Sequence, residues 1–120
     1  MANITLVFGT NNSQPVGTDN EYIEELYQRA YKPFIRTLYN APDIRAVLHY
    51  SGHLLQWMAR YHPEFTDVLA ELSSRKQIEL LGGGFYDPVL PLIPRADRLG
   101  QIEQMTTYLR KLFGRKPRRA

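Results

Sequence analysis

Cysteine is absent from this 120-residue chain, and so is any long apolar run. Without cysteine, neither disulfides nor thiolate metal sites can form, which is typical of a reducing compartment. No stretch approaches the roughly eighteen consecutive apolar residues that a membrane-spanning helix needs. The first residues also lack the basic and apolar regions of a secretory signal. We therefore expect a cytoplasmic chain that makes no membrane contact.

Acidic residues are also missing from the C-terminal segment, because none follows Glu103. Six of the fifteen basic residues lie there: Arg110, Lys111, Arg115, Lys116, Arg118 and Arg119. The remaining nine are outnumbered by twelve acidic residues, so the net charge of +3 comes from this tail. From Arg110 onwards Phe113 is the sole aromatic residue that could stack on a base. We expect no nucleic-acid partner, and we interpret residues 115–120 as a basic, disordered tail.

Three short apolar runs are predicted to be β-strands, and they are residues 4–8, 44–49 and 77–81. The first run is apolar almost throughout, which is typical of a strand buried on both faces of a parallel sheet. The chain is long enough for one core, and no linker or repeat divides it. These features indicate a single α/β unit.

Helices are predicted between the strands. Thr18 to Glu21 matches a capping box, and the expected buried face of the first helix carries Ile23, Leu26, Tyr27, Ala30 and Phe34. Pro33 should kink this helix or start a second one that ends near Tyr39. Ser51 can cap the next helix, and Pro63 suits the first position of another. A last helix should bury Leu99, Ile102, Met105, Leu109 and Leu112 and end at Gly114.

Alternating strands and helices favour parallel strands joined by right-handed crossovers. The segments 10–17, 50–53 and 82–94, which follow the three strands, should then lie at one edge of the sheet. In α/β folds, ligands bind at the carboxyl ends of the strands. This edge is therefore the predicted ligand site.

The segment 82–94 is the most distinctive of the three. Three glycines permit unusual backbone angles or close approach, and Phe85, Tyr86 and Asp87 follow before a series of prolines. Aromatic faces beside a carboxylate suit a sugar, whose C–H faces lie against rings while its hydroxyls bond to the acid. The structural alternative is a glycine-rich turn with a core Phe85 and a capping Asp87.

The three histidines do not form a metal motif. His49 and His53 are four residues apart, but the Ser51-Gly52 pair between them interrupts the helix that would align them. His62 lies outside any such spacing. We expect neither a metal nor another cofactor.

Four separated segments resemble one known family. The matching residues are Phe8-Gly9, Asn12, Gln14-Pro15-Val16-Gly17, Ala30-Tyr31-Lys32-Pro33-Phe34, Ser51-Gly52, Leu54-Leu55, Gly83-Gly84-Phe85-Tyr86, Pro88-Val89-Leu90 and Ile93-Pro94. In this order they resemble the N-terminal part of glycoside hydrolase family 57. That family contains α-amylases, 4-α-glucanotransferases and branching enzymes built on an incomplete (β/α) barrel of seven strands. The resemblance implies an α-glucan or maltooligosaccharide partner.

The chain departs from the family pattern at the predicted site. The first family motif reads His-Asn-His-Gln-Pro, and Asn11 and Ser13 occupy its two histidine positions, while Gln14 is kept. Serine can hydrogen-bond a sugar but cannot titrate near neutrality. Asp87 replaces a common glutamate with a carboxylate one methylene shorter. The resemblance and the loop chemistry together give a predicted substrate-binding set of Asn11, Ser13, Gln14, Phe85, Tyr86 and Asp87.

The resemblance also implies that the catalytic carboxylates are not in this chain. Family members carry a nucleophilic glutamate after a fourth strand and an acid/base aspartate after a later one. We therefore expect a partial (β/α) barrel, with three parallel strands alternating with helices and truncated before the fourth strand. Residues 1–120 would form the single N-terminal portion of the barrel domain. Because retaining hydrolysis needs two carboxylates, we expect no catalytic residue here and no activity alone.

Two alternatives stay open from the sequence. The chain could be a small interaction module that oligomerises through the open edges of its sheet. It could also be a domain related to polysaccharide deacetylases, but that reading needs an acid-and-histidine metal set that Asn11 and Ser13 do not provide. Hydrolysis, glucan transfer and branching are equally compatible with the resemblance.

Overall fold

A computed structural model describes residues 3–114 of the chain. Its elements, in order, are β1 (Gly9–Asn12), α1 (Asn20–Leu26), a π-helical turn (Tyr27–Tyr31), α2 (Lys32–Tyr39), β2 (Ala46–Tyr50), α3 (Gly52–Tyr61), α4 (Pro63–Ser74), β3 (Ile78–Leu80), a 3₁₀ turn (Leu90–Leu92) and α5 (Arg95–Phe113). The predicted disordered tail, residues 115–120, lies outside the described residues. No helix within residues 3–114 has both the length and the apolar character needed to cross a membrane.

The three strands form one parallel sheet in the order β1-β2-β3. Asn11 lies opposite His49, and Val47 lies opposite Glu79. The predicted parallel arrangement is confirmed, and all three strands end at the same edge. Among the described residues β1 and β3 each pair with β2 alone, so both outer edges of the sheet are open.

The two faces of the sheet have different surroundings. Side chains alternate between the faces of a strand, and Ala46, Leu48 and Tyr50 of β2 are buried against the helices. Val47 and His49 point to the opposite face and are only half-buried. One face therefore carries the core, and the other is open at the end where the strands stop.

The first strand lies further along the chain than predicted. Ile4 and Leu6 are 94% and 89% exposed, and β1 begins at Gly9. Pairing starts where the Val47 amide donates to the Phe8 carbonyl at 2.8 Å. The residues before Phe8 have no partner because β2 begins only at Ala46. The segment just before β2 forms a turn at residues 42–43, and a turn cannot pair with the apolar run of residues 4–8 as a strand would.

The N-cap of the first helix lies one residue later than predicted. The Thr18 hydroxyl donates to the Pro15 carbonyl at 2.6 Å instead of accepting from the helix. Asp19 is the N-cap, and its side chain accepts the Glu21 amide at 3.3 Å. The prediction of a helix start here was right, and the assignment of Thr18 as the cap was wrong.

A π-helical turn changes the buried face of this helical segment. The Lys32 amide donates to the Tyr27 carbonyl five residues earlier, which widens the turn. Ala30, predicted to be in the core, is therefore exposed, and Tyr31 is buried instead. Pro33 lies at the start of α2, which ends at Tyr39 as predicted.

The later helices follow the sequence signals more closely. The Ser51 hydroxyl accepts the Leu54 amide, Pro63 opens α4, and Gly114 ends α5 in the left-handed conformation with φ 68°. Met105 and Leu109 are buried as predicted. Leu99 and Ile102 are exposed and Leu112 is half-buried, so the fully buried side chains of α5 are confined to Met105 and Leu109.

Gln77 joins the start of β3 to the turn that precedes β2. Its buried Nε2 donates to the carbonyls of Leu38, Ala41 and Ile44 at 2.7, 3.0 and 3.0 Å. Replacement by leucine removes this donor, while the Leu38 and Ala41 carbonyls keep the backbone amides of Ala41 and Ile44, so we expect a loss of about 1–2 kcal/mol in the free energy of unfolding. Urea denaturation measures it. The exposed Gln56→Leu is the control, and equal stability of the two variants would contradict this role.

His62 lies between two carboxylates on the helical side of the molecule. Its Nε2 is 2.6 Å from Glu24 Oε2, and its Nδ1 is 3.1 Å from Glu64 Oε1. The ring stacks on Tyr27 with centroids 3.8 Å apart. The hydrogen bond with His62 is the main cause that lowers the pKa of Glu24. The pKa of Glu64 is lowered chiefly by its own backbone amide and then by His62.

The lowered carboxyl pKa values predict a loss of stability in acid. Both groups ionise more readily in the folded chain, so their contribution is present above the ordinary value of 4.5. This contribution to stability is lost as the pH falls through the pKa values that the two carboxyl groups have in the folded chain. We expect Glu24→Gln to flatten the decline of the urea midpoint between about pH 5 and pH 3. An identical decline in the variant and in the unmodified chain would refute this link.

Candidate functional site

The glycine-rich segment 82–94 is held between two helices. The carbonyl of Phe85 accepts the amides of Gly52 and His53, at 2.7 and 3.3 Å, at the start of α3. On the other side, the Phe85 amide donates to the Gln101 carbonyl at 3.2 Å, and the Tyr86 amide donates to Gln101 Oε1 at 2.8 Å. The segment is therefore fixed to α3 and α5 by its backbone.

Phe85 is a core residue and does not face the ligand site. It is 1% exposed, and its ring contacts Gly52 and lies 5.6 Å from the ring of Tyr108. The prediction that this ring is exposed was wrong. The structural alternative, a glycine-rich turn with a core phenylalanine, describes it better. Tyr86 is 43% exposed, and its ring lies 6.3 Å from His53.

Asp87 is presented by a tight turn. Its amide donates to the Gly84 carbonyl at 3.1 Å, and its φ is 55°, a left-handed conformation that aspartate tolerates better than most residues. A Cβ at Gly84 would lie 2.5 Å from Cδ of Pro88, so this turn needs glycine. The result is a partly exposed carboxylate whose Oδ1 lies 3.5 Å from His49 Nε2.

A cavity of about 590 Å³ lies at the open face of the sheet, where the strands end. Its polar lining residues are Thr10, Asn11, His49 and Asp87. Its apolar and glycine lining residues are Val7, Gly9, Val47, Leu81, Gly82, Gly83, Gly84, Pro88 and Leu90. The three strand ends thus contribute to one cavity, as the predicted topology requires.

The structure brings together only part of the predicted binding set. Asn11 and Asp87 line the cavity. Ser13 is half-buried and Gln14 donates to the Tyr31 hydroxyl at 2.8 Å, and neither lines the cavity. Tyr86 precedes Asp87 in the chain and does not line the cavity. Phe85 is buried in the core, and the sugar-binding role of the other five predicted residues stays a prediction.

His49 was missed as a site residue. It lies at the carboxyl end of β2, and its Nδ1 is 3.1 Å from the Leu81 carbonyl. Sequence reasoning considered it only as a metal ligand. The available signal was strand alternation, which places His49 and Val47 on the face opposite to Leu48. Asn12, which does not line the cavity, supports this strand end, because its Nδ2 donates to the His49 carbonyl at 3.2 Å.

The side chains of the cavity suit hydrogen bonding to a neutral polar ligand. Among the described residues lining it, Asp87 is the one carboxylate and His49 the one imidazole. No group of three histidine, cysteine, aspartate or glutamate residues within residues 3–114 is placed to hold a metal ion. The lining therefore combines a carboxylate, an imidazole and an amide, from Asp87, His49 and Asn11, with apolar side chains.

Comparison with known proteins identifies the family. Residues 7–120 match the sequence profile of glycosyl hydrolase family 57. The chain is 43% identical over 112 residues to a 4-alpha-glucanotransferase of Thermococcus litoralis. It is 41% identical over 110 residues to alpha-amylase 1 of Dictyoglomus thermophilum. The match covers 93% of this chain in the first case and 92% in the second.

One solved structure agrees with this assignment, and a second shares the fold alone. The crystal structure of the Thermococcus litoralis 4-alpha-glucanotransferase superposes with a TM-score of 0.86 and covers 88% of this chain. A family 4 carbohydrate esterase from Bacillus anthracis, 13% identical with a TM-score of 0.58, shares the fold.

The chain spans 17% of the length of the Thermococcus litoralis enzyme and 16% of that of the Dictyoglomus thermophilum enzyme. It is similar to the N-terminal portion of such enzymes, and the predicted partial (β/α) arrangement with three parallel strands is confirmed. The profile match covers nearly the whole chain, and the relatives agree with it in sequence and in structure. This chain belongs to glycosyl (glycoside) hydrolase family 57.

Proposed function

We propose that this chain binds α-glucan in the cavity at the carboxyl ends of its strands and forms one part of a family 57 substrate cleft. The observation that carries the proposal is the position of Asn11, His49 and Asp87 on one open face. The names of the relatives, which include glucanotransferases and amylases, support a glucan as the ligand.

The lining of the cavity matches the two kinds of surface on a glucose unit. The Asp87 carboxylate accepts hydrogen bonds from sugar hydroxyls, and the Asn11 amide both donates and accepts them. Leu81, Pro88 and Leu90 provide apolar surface for the C–H groups of the ring. Tyr86, next to Asp87 in the chain, is 43% exposed and does not line the cavity.

The same lining supports binding without catalysis. Retaining glycosidases place two carboxyl groups about 5 Å apart. Of the residues in the range 3–114 that line the cavity, Asp87 alone carries a carboxyl group. Glu79 lies on the same face of β3 but two residues before Leu81, about 7 Å further from the strand end. We infer that the isolated chain binds glucan and does not cleave it.

Isothermal titration calorimetry with maltoheptaose tests this function. We expect saturable binding, weaker binding of the β-linked cellohexaose, and no release of reducing ends after prolonged incubation. Cellohexaose is the matched control because it carries the same hydroxyl groups on an extended chain. Absence of heat with maltoheptaose at millimolar concentration contradicts binding, and release of reducing ends contradicts the inferred lack of catalysis.

A further inference from the structure

The hydrogen bonds of His49 determine which of its ring nitrogens carries a hydrogen. Its Nδ1 lies 3.1 Å from the Leu81 carbonyl oxygen, which can only accept a hydrogen bond. Nδ1 must therefore be the donor. In the neutral ring the other nitrogen, Nε2, then has a free lone pair and is an acceptor.

The Nε2 acceptor of His49 lies near a second acceptor, the carboxylate of Asp87. His49 Nε2 lies 3.5 Å from Asp87 Oδ1, longer than the roughly 2.7–2.9 Å of a strong charge-assisted hydrogen bond. The His49 side chain is 13% exposed and that of Asp87 is 34% exposed, and both line the cavity. The other residues that line the cavity are uncharged. Two acceptors therefore lie side by side and open to a ligand.

We propose that His49 Nε2 and the Asp87 carboxylate accept one hydrogen each from two neighbouring hydroxyls of a single glucose unit. The inference rests on the proposed function and adds His49 as the residue that selects a vicinal diol. One hydroxyl has one hydrogen and cannot satisfy both acceptors, whereas adjacent hydroxyls on a pyranose ring can. A chain linked through O4 leaves the 2- and 3-hydroxyls of each internal unit as that pair.

Gly83 supports the same arrangement. A Cβ at Gly83 would lie 3.3 Å from Cε1 of His49, the ring carbon between its two nitrogens. This close approach of backbone to ring limits rotation of the imidazole and keeps Nε2 directed toward Asp87.

The test compares maltoheptaose with heptaoses of the same length that lack either the 2-hydroxyl or the 6-hydroxyl. With the 2-hydroxyl assigned to His49 Nε2 and the 3-hydroxyl to Asp87, we expect the 2-deoxy sugar to bind about two- to tenfold more weakly, the loss typical of one hydrogen bond to an uncharged acceptor. The 6-deoxy sugar should bind about as well as maltoheptaose, because its missing hydroxyl is not part of the diol. Equal binding of the 2-deoxy sugar and maltoheptaose overturns the inference.

A variant of His49 assigns the effect to this residue. His49→Asn retains a donor for the Leu81 carbonyl and removes Nε2, so the penalty for the 2-deoxy sugar should shrink. His53→Asn, outside the cavity, is the matched control and should keep the full penalty. A full penalty in His49→Asn overturns the role of Nε2. If maltoheptaose itself does not bind, the proposed function is wrong and this inference falls with it. If maltoheptaose binds but the 2-deoxy sugar binds equally well, this inference alone is wrong.

Discussion

Gly52→Ala is expected to destabilise the chain by about 2–3 kcal/mol and to displace the glycine-rich segment, in line with the cost of overpacking a filled core. The added Cβ would lie 2.2 Å from Cδ2 of Phe85. That ring is buried against Gly52 and Tyr108 and has no solvent to move into. The Gly52 amide also donates to the Phe85 carbonyl at 2.7 Å, so any shift of the ring disturbs the backbone that presents Asp87.

Urea denaturation measures this effect, and glucan titration follows its consequence at the site. Gly100→Ala is the matched control because a Cβ there meets no atom within 4 Å and Gly100 lies inside α5. Alanine in an open helical position should stabilise the chain by about 0.5–1 kcal/mol. Opposite signs for the two glycine substitutions are therefore expected. Equal stability of the two variants would show that Phe85 can repack without cost.

Asp87→Asn is expected to weaken maltoheptaose binding about tenfold or more, because an amide keeps one acceptor oxygen but loses the charge that strengthens the hydrogen bond. Asparagine also tolerates the left-handed conformation at φ 55°, so the turn is preserved. Asp87→Ala should weaken binding further, but it adds backbone strain to the loss of the carboxylate.

Calorimetry measures the affinity of each Asp87 variant, and the urea midpoint shows whether its fold is intact. Asp67→Asn, on the exposed side of α4, makes the same chemical change away from the cavity and should leave affinity unchanged. Unchanged affinity in Asp87→Asn with an intact fold would place the glucan elsewhere on the molecule.

Much of the architecture was predictable because it depends on patterns local to each element. Ser51, Pro63 and Gly114 mark helix ends through hydrogen bonding and backbone angles that those residues adopt individually. Alternation of strands and helices was enough to predict a parallel sheet. The position of β1 was not predictable in this way. It depends on where β2 begins, and residues 4–8 have the composition of a strand whether or not a partner is available.

The π-helical turn had no recognisable signal in the sequence. Helical spacing assumes a constant 3.6 residues per turn, and one widened turn at Tyr27–Tyr31 moves burial from Ala30 to Tyr31. The turn places the Tyr31 hydroxyl where Gln14 donates to it. Predictions made on one side of such a turn cannot be extended to the other.

The site was predicted in part. Asn11 and Asp87 follow from loop position and family resemblance, and the structure places both at the cavity. The burial of Phe85 could not be read from its neighbours in sequence, since it depends on Gly52 in another segment leaving space for the ring. His49 was overlooked because it belongs to a strand, although the last residue on the open face of a parallel strand reaches the same edge as the loops.

Chemical-shift mapping of the isotope-labelled chain with maltoheptaose tests the central claim most directly. If glucan binds at the open face where the parallel strands end, the largest shifts will fall on residues 9–12, on His49 and on residues 81–88. Shifts concentrated on α1 and α4, on the covered side of the sheet, would contradict that claim.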